Sequence, residues 1–292
     1  MDSTRRRARV IAIGNQKGGT GKSTVTVHLA AALGRRRKRV LVIDLDPAAG
    51  ATKHLGISPD GYAGTFELLT SEEALDALVL TSCMPIGVNL IAARPQLSEL
   101  DQSLSRYTDR TRLLARAIAE GEGTYDYILL DTAPYAAFVT TVAAYAAAEW
   151  FLLTAFPHPL SLAGLTEAFR DLADVRRLTN PGLRVLGVVM TNVDRRASRM
   201  LAEIEHTLEA AAPGSLMRSR ISQAAVIPWA SGHGHTVFEI DNPRRERSVA
   251  EFLALADEVE DRIGVGVAAE VGEHVAASSD DAGTDQPLRT EV

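Results

Sequence analysis

Residues 13–24 read IGNQKGGTGKST. Before them runs a continuous apolar stretch, residues 9–13, as expected of a strand buried on both faces. After them Val25, Leu29, Ala32 and Leu33 recur at helical spacing, which predicts a helix over 22–34 with Gly34 as its C-cap. Strand, glycine-rich loop and helix, in that order, make Gly21-Lys22-Ser23 the end of a phosphate-binding P-loop. A glycine turn carrying two surface lysines is the alternative, and the ordered setting opposes it. In a P-loop, Gly18, Gly19 and Gly21 let backbone N–H groups turn inward, and the helix adds its positive end. Lys22 is expected to reach the β- and γ-phosphates, and the Ser23 hydroxyl to coordinate Mg²⁺. Thr20 and Thr24 join these residues in the expected nucleotide site.

Further β-branched runs at 39–43, 88–91, 127–130, 150–154 and 186–190 alternate with helical patterns at 98–120, 160–178, 198–212 and 248–263. This βαβ rhythm predicts a doubly wound, mostly parallel α/β sheet with helices on both faces. A chain of 292 residues, 46% of them apolar, suffices for one such domain over 1–263. Residues 264–292 are small, polar and acidic, with six carboxylates against Arg289, and are expected to form a disordered tail. The net charge is −6, of which the tail carries −5, leaving −1 on the body, so overall acidity does not exclude an anionic partner. Cys83 is the one cysteine, which excludes an internal disulfide and points to a reducing, cytoplasmic setting. There is no signal-peptide pattern and no apolar run long enough to cross a bilayer.

The generic pattern G-x-x-x-x-G-K-[ST] begins with glycine where this chain has Gln16, and Lys17 follows at once. NQKGGTGKST thus resembles the deviant Walker A motif, KGGxGK[ST], of the ParA/MinD family. That family includes plasmid and chromosome partition ATPases, cell-division site regulators and the nitrogenase iron protein. The resemblance covers about residues 8–263. It implies an ATPase using ATP and Mg²⁺, in which Lys17 reaches across a homodimer to the other subunit's nucleotide, like an arginine finger in trans. Two facing nucleotides crowd many phosphate oxygens together, and a cation from each partner offsets that repulsion. A contact of Lys17 with its own nucleotide or with solvent is the alternative.

Two acidic stretches follow, VIDLDPAAGAT with Asp44 and Asp46, and YDYILLDTAP with Asp131. Strand C-termini face the ligand crevice of a doubly wound sheet. The resemblance, here to DxDPQxxAT, implies that Asp46 positions the attacking water while Asp44 supports Mg²⁺ or the switch geometry. Capping of the next turn is the alternative for both. Asp131, in the place of a Walker B aspartate, is implied to hold Mg²⁺ through water, and Thr132 and Pro134 to begin a second switch. Ala48 replaces the family glutamine and Ala133 departs mildly from its pattern. Asp126 reads as a turn residue at a strand start. Asn192, just past a strand, offers a donor and an acceptor that suit adenine, with a plain loop role as its alternative; Pro228 and Trp229 are weaker candidates for the base wall.

Arginines gather late in the chain: Arg195, Arg196, Arg199, Arg218, Arg220 and Arg245, with Arg244 and Arg247 beside the last. Similarity to partition ATPases implies that such residues bind double-stranded DNA without sequence preference, in the ATP dimer only, and that a ParB-like adaptor stimulates slow hydrolysis. The expectation is a DNA partition ATPase, cytoplasmic and nucleoid-associated. With the P-loop near residue 14, no room is left for an N-terminal helix-turn-helix domain, as in the short ParA/Soj type. A positioner of a non-DNA cargo and a MinD-like membrane regulator remain as alternatives. The last helix opposes the membrane alternative, because its polar face (Glu251, Asp257, Glu258, Glu260, Asp261) is acidic. A single cysteine per chain is too few for an iron–sulfur redox role.

Overall fold

The structure, a computed structural model, describes residues 7–266 apart from 72, 82–84, 106, 108, 122 and 135–138. The acidic segment from 267 onward, Arg5, Arg6 and Cys83 lie outside the described residues. Seven strands form one parallel sheet: β1 (Arg9–Gly14), β2 (Val40–Asp44), β3 (Val88–Ile91), β4 (Tyr127–Asp131), β5 (Trp150–Ala155), β6 (Arg184–Val193) and β7 (Leu216–Ser222). Their order is β3-β2-β4-β1-β5-β6-β7. The chain winds first to one side of β1 and then, from β5 onward, to the other. The ligand crevice of such a sheet lies at this reversal, above the carboxyl ends of the central strands.

Alternate side chains of each strand feed two separate cores. Val10 and Ala12 of β1, with Ile128 and Leu130 of β4, face one layer, where Leu114, Leu172 and Ile204 pack. Ile11 and Ile13, with Leu129, face the other, formed by the first helix (Lys22–Arg35) and the C-terminal helix (Glu246–Val265). Strands buried on both sides carry no polar alternation, which is why they read as apolar runs.

The structure corrects three expectations of local structure. Residues 98–120 are not one helix: a 3₁₀ turn (Pro95–Glu99) leads to Leu100–Ser103, and a second helix (Leu113–Glu120) starts later. The Ser103 and Ser105 hydroxyls donate to the Glu99 and Gln102 carbonyls, the local bonding by which serine competes with a continuing helix. Gly34 does not cap the first helix, which runs on to Arg35; the left-handed residue is Arg37, with φ 62°. Gly34 serves close packing instead, since a Cβ there would collide with the Ile86 carbonyl oxygen. Finally, Glu251 and Glu258 do not belong to a solvated acidic face. Glu258 is buried and accepts the backbone N–H groups of Arg218 and Ser219 at 2.9 and 2.8 Å, while Glu251 accepts that of Ser222 at 2.9 Å. The C-terminal helix thereby satisfies the outer donors of β7, the edge strand that the sequence reading missed.

Between the first and last helices lies a buried histidine. Val237 N donates to His28 Nε2 at 3.2 Å, and Nδ1 stands 2.8 Å from Thr24 O, which leaves the proton on Nδ1. Phe252 stacks on this ring at 4.3 Å, and His54 meets it edge-on at 5.0 Å. Burial pushes His28 down to about 3, helped by the facing His54, and pushes His54 down to about 4. Both rings stay neutral in the fold, whereas in the unfolded chain they take up protons below their ordinary value of 6.5. Their contribution to stability is therefore complete above that value and is lost as pH falls toward the folded values. Each ring removes up to about 1.4 kcal/mol per pH unit in that window. Denaturant unfolding at pH 7 and pH 5 is expected to show this loss, and His54→Leu to shrink it; a variant with the same difference would refute the assignment.

Candidate nucleotide site

The loop after β1 hangs from its neighbours by side chains. Asn15 Nδ2 donates to Thr154 O at 2.5 Å, while Asn15 Oδ1 accepts Lys17 N at 2.9 Å. The buried Thr20 hydroxyl meets that of Thr154 at 3.0 Å, and Thr191 Oγ1 donates to Thr20 O at 2.8 Å. The ends of β5 and β6 thus hold both limbs of the loop. Gln16, at the departure from the generic motif, donates through Nε2 to Asp171 Oδ2 on the helix Pro159–Leu178. Asn15, Thr154, Thr191 and Asp171 were missed by motif reading; only Asn15 adjoins the motif, and the rest lie more than a hundred residues away.

Gly21 (φ 82°) is the N-cap of the first helix and makes no side-chain cap, so the first N–H groups of that helix face the loop without side-chain partners. The two lysines differ sharply. Lys22 is 6% exposed and its Nζ donates to Lys17 O at 3.4 Å, inside the loop. Burial holds this ammonium below its ordinary value, opposed by the nearby Asp131 and Asp46. Lys17 is exposed, and only its backbone, not its side chain, forms hydrogen bonds among the described residues.

Asp44 and Asp131 are register partners across β2 and β4, and Ile13 of β1 pairs with Asp131 in turn. The P-loop and both carboxylates therefore leave the sheet at one level. Burial raises both carboxyl groups above the ordinary carboxylate range, and for Asp44 the charge of Asp131 adds to it. Their surroundings differ. Asp44 Oδ2 accepts from both N and Oγ1 of Thr52 at 2.8 Å, and Oδ1 accepts Asp46 N at 3.1 Å. Thr52 sits on the short helix Gly50–His54, and its hydroxyl also accepts Ala93 N at 2.9 Å. The Asp44 carboxylate is thus committed to the geometry of the loop that carries Asp46. Asp131 Oδ1 accepts from Thr26 at 3.1 Å, whereas its buried Oδ2 has no hydrogen-bond partner. An unpartnered carboxylate oxygen near the Ser23 hydroxyl and Lys22 fits a divalent cation. Asp46 is half-buried, and its Oδ1 accepts Ala48 N at 2.9 Å. Asp126 pairs with Arg39 at 3.1 Å, away from this site.

Beside the loop opens a cleft of about 290 Å³, lined among others by Gly19, Thr24, Phe156, Asn192 and Pro228. Asn192 stands at its rim in a left-handed conformation, φ 51°. Trp229 is absent from the lining; half-exposed, it stacks on His233 at 4.3 Å.

The late arginines do not form one surface of equals. Arg195 and Arg220 line a second cleft of about 380 Å³, where Arg220 pairs with Glu205 at 2.7 Å. Arg218, on the same edge strand, is 82% exposed and only 3.9 Å from Glu258. Arg196 and Arg199 are 90% and 95% exposed, with partners Asp194 and Glu203 at 3.2 and 3.3 Å. Arg245 turns one guanidinium nitrogen inward, to the carbonyls of Phe238 and Ile240. Among the described residues no helix is long and apolar enough to cross a membrane.

Comparison with known proteins agrees with this architecture. Residues 8–185 match the family model described as an AAA domain. A ParA family protein of Chlamydia muridarum is 32% identical over 254 residues, covering 86% of this chain and 97% of its own length. The chromosome partitioning protein ParA of Caulobacter vibrioides is 37% identical over 194 residues, covering 65% of this chain and 72% of its own. Among solved structures, cobyrinic acid a,c-diamide synthase of Mycobacterium smegmatis with bound ADP and magnesium superposes with a TM-score of 0.77 at 24% identity, over 91% of this chain and 99% of that one. That likeness is one of fold, a doubly wound P-loop sheet. Near full-length similarity to ParA proteins, joined to a P-loop that carries one buried and one exposed lysine, establishes that this chain belongs to the ParA family of P-loop ATPases.

Proposed function

We propose that the chain is a DNA partition ATPase whose ATP-bound homodimer rides non-specifically on double-stranded DNA and is released when a ParB-like adaptor stimulates hydrolysis. The observation that carries this reading is the contrast between the buried Lys22 and the exposed Lys17 on one loop. A loop that needed only to hold its own phosphate would have no use for an outward cation; a loop that completes its partner's site needs one.

In this reading, backbone N–H groups of residues 18–21 and the N-terminus of the first helix cradle the phosphates of ATP. Lys22 neutralises the β- and γ-phosphates from within. Ser23 and the free oxygen of Asp131 hold Mg²⁺, which supplies charge neutralisation at the transferring phosphoryl group. Asp44 keeps the Asp46 loop in place through Thr52, and Asp46 orients the attacking water. Asn192 and Pro228 receive the base in the neighbouring cleft. Lys17 enters the partner's site, so that neither site is complete in a monomer. The late arginines, doubled in the dimer, bind phosphates of DNA, and doubling the contacts makes affinity rise steeply. A cytoplasmic, nucleoid-associated location follows from that affinity.

Binding to random-sequence duplex DNA, measured with ATP, with ADP and without nucleotide across a salt series, tests the reading. Binding is expected with ATP alone. Joint Arg218→Ala and Arg220→Ala changes are expected to make the log–log salt slope shallower by about two to four, for two contacts per subunit and four per dimer. An unaltered slope would put the DNA surface elsewhere, and no binding in any state would favour the non-DNA cargo.

A further inference from the structure

The edge strand β7 and the turn that follows β6 together present an arginine strip that the domain leaves only partly paired. Arg195 has no ion pair or hydrogen bond among the described residues. Arg218 stands 3.9 Å from Glu258, whose oxygens already accept two backbone N–H groups and the Arg262 guanidinium at 3.1 Å. Arg220 has one carboxylate, Glu205. The backbone donors of this edge are satisfied by Glu251 and Glu258, so the strip is unsuited to adding another strand. Recognition there must go through the guanidinium groups, and its natural complement is a flexible polyanion.

The position of the strip is informative. The C-terminal helix runs antiparallel to β7: Glu251 meets Ser222, Glu258 meets Arg218, and Arg262 donates to Leu216 O at 2.8 Å. The helix ends at Val265, about two turns or 10–12 Å beyond Glu258. The chain therefore leaves the domain beside the lower end of the strip. Residues 267–292, 26 in all, carry Glu270, Glu273, Asp280, Asp281, Asp285 and Glu291 against Arg289 alone. Their extended reach, about 85 Å, far exceeds the distance of about 13 Å from Arg218 up to Ser222. A segment of net charge −5, tethered next to arginines that are only partly neutralised, experiences an effective concentration in the millimolar range.

We propose that the acidic segment 267–292 docks on the arginine strip of its own domain (Arg195, Arg218, Arg220) and competes there with phosphate-bearing polymer. The docking itself is independent of the function proposed above; the competition rests on that reading. A weak electrostatic ligand held in place by its tether sets a threshold, because a polyanion displaces it only when several phosphates engage at once. In an ATP dimer the strips are paired and this displacement is favoured.

Two measurements on the full chain separate these points. In the first, the six carboxylates are replaced by the corresponding amides (E270Q, E273Q, D280N, D281N, D285N, E291Q). Affinity for random duplex DNA with ATP is expected to rise about tenfold at low salt and to converge on the unaltered protein as salt increases. A gain that depends on protein concentration would place the segment on a neighbouring copy and overturn docking within the chain. In the second, a labelled peptide of residues 267–292 is added to the neutralised chain without DNA. Saturable binding is expected, weakened several-fold by R218Q alone and further by R218Q with R220Q. Failure of the peptide to bind, or equal binding to the arginine variants, overturns the proposal. Peptide binding without DNA binding would support the docking and refute the DNA reading instead.

Discussion

Lys17→Ala is expected to leave ATP binding by the monomer within about threefold while abolishing ATP-dependent dimerisation, and to lower stimulated hydrolysis by on the order of 10³–10⁵. The separation follows from where the side chain sits. Its backbone is held on both sides, N to Asn15 Oδ1 and O by Lys22 Nζ and the Thr20 hydroxyl, so the loop keeps its shape when the side chain is removed. The ammonium is exposed, so its loss alters the fold by no more than a typical surface change, about 0.5 kcal/mol. In the proposed dimer, what disappears is a cation supplied where two sets of phosphates meet. Light scattering after size exclusion in ATP reads the result; a dimer that persists in Lys17→Ala would remove the lysine from the trans role.

Asp46→Ala is expected to slow hydrolysis by about 10²–10⁴ and to make the ATP-bound dimer accumulate. Asp46 is the least committed of the three acids at this edge. Asp44 is tied to Thr52 through both N and Oγ1, and Asp131 lies at the bottom of the site, fully buried. Asp46 uses one oxygen to accept Ala48 N and lies close enough to Lys22 to raise that ammonium's proton affinity. Asp46→Asn retains an oxygen for Ala48 N and removes the negative charge. If the carboxylate orients water, both variants are slow; if it only shapes the loop, Asp46→Asn retains activity. Single-turnover hydrolysis distinguishes the two, and a rate within tenfold of the unaltered protein for Asp46→Ala would refute the role altogether.

The sequence by itself determined those features whose causes are local. A P-loop is legible because glycines, a lysine and a hydroxyl at fixed spacing are needed to wrap a phosphate, and the strand before and helix after it are contiguous. Asp44 and Asp131 were recognisable because each closes an apolar run, and a strand buried on both faces ends where its carboxyl edge meets solvent or ligand. The family followed from Lys17 next to Gly18 and Gly19. Other features depended on residues distant in the chain. That Asp44 holds a loop whereas Asp131 offers a free oxygen depends on Thr52, Thr26 and the register of β2 on β4. The serine-rich stretch after Leu100 broke a helix that apolar spacing alone favoured, because its hydroxyls bond back to carbonyls. β7 was hidden because its arginines interrupt the apolar pattern, yet Met217 and Ile221 face the core and Glu258 comes from forty residues away to satisfy its edge. Composition cannot tell a solvated glutamate from one that caps a strand. The difference is made by burial and by which donors the folded chain brings within 3 Å, and only the tertiary structure assembles them.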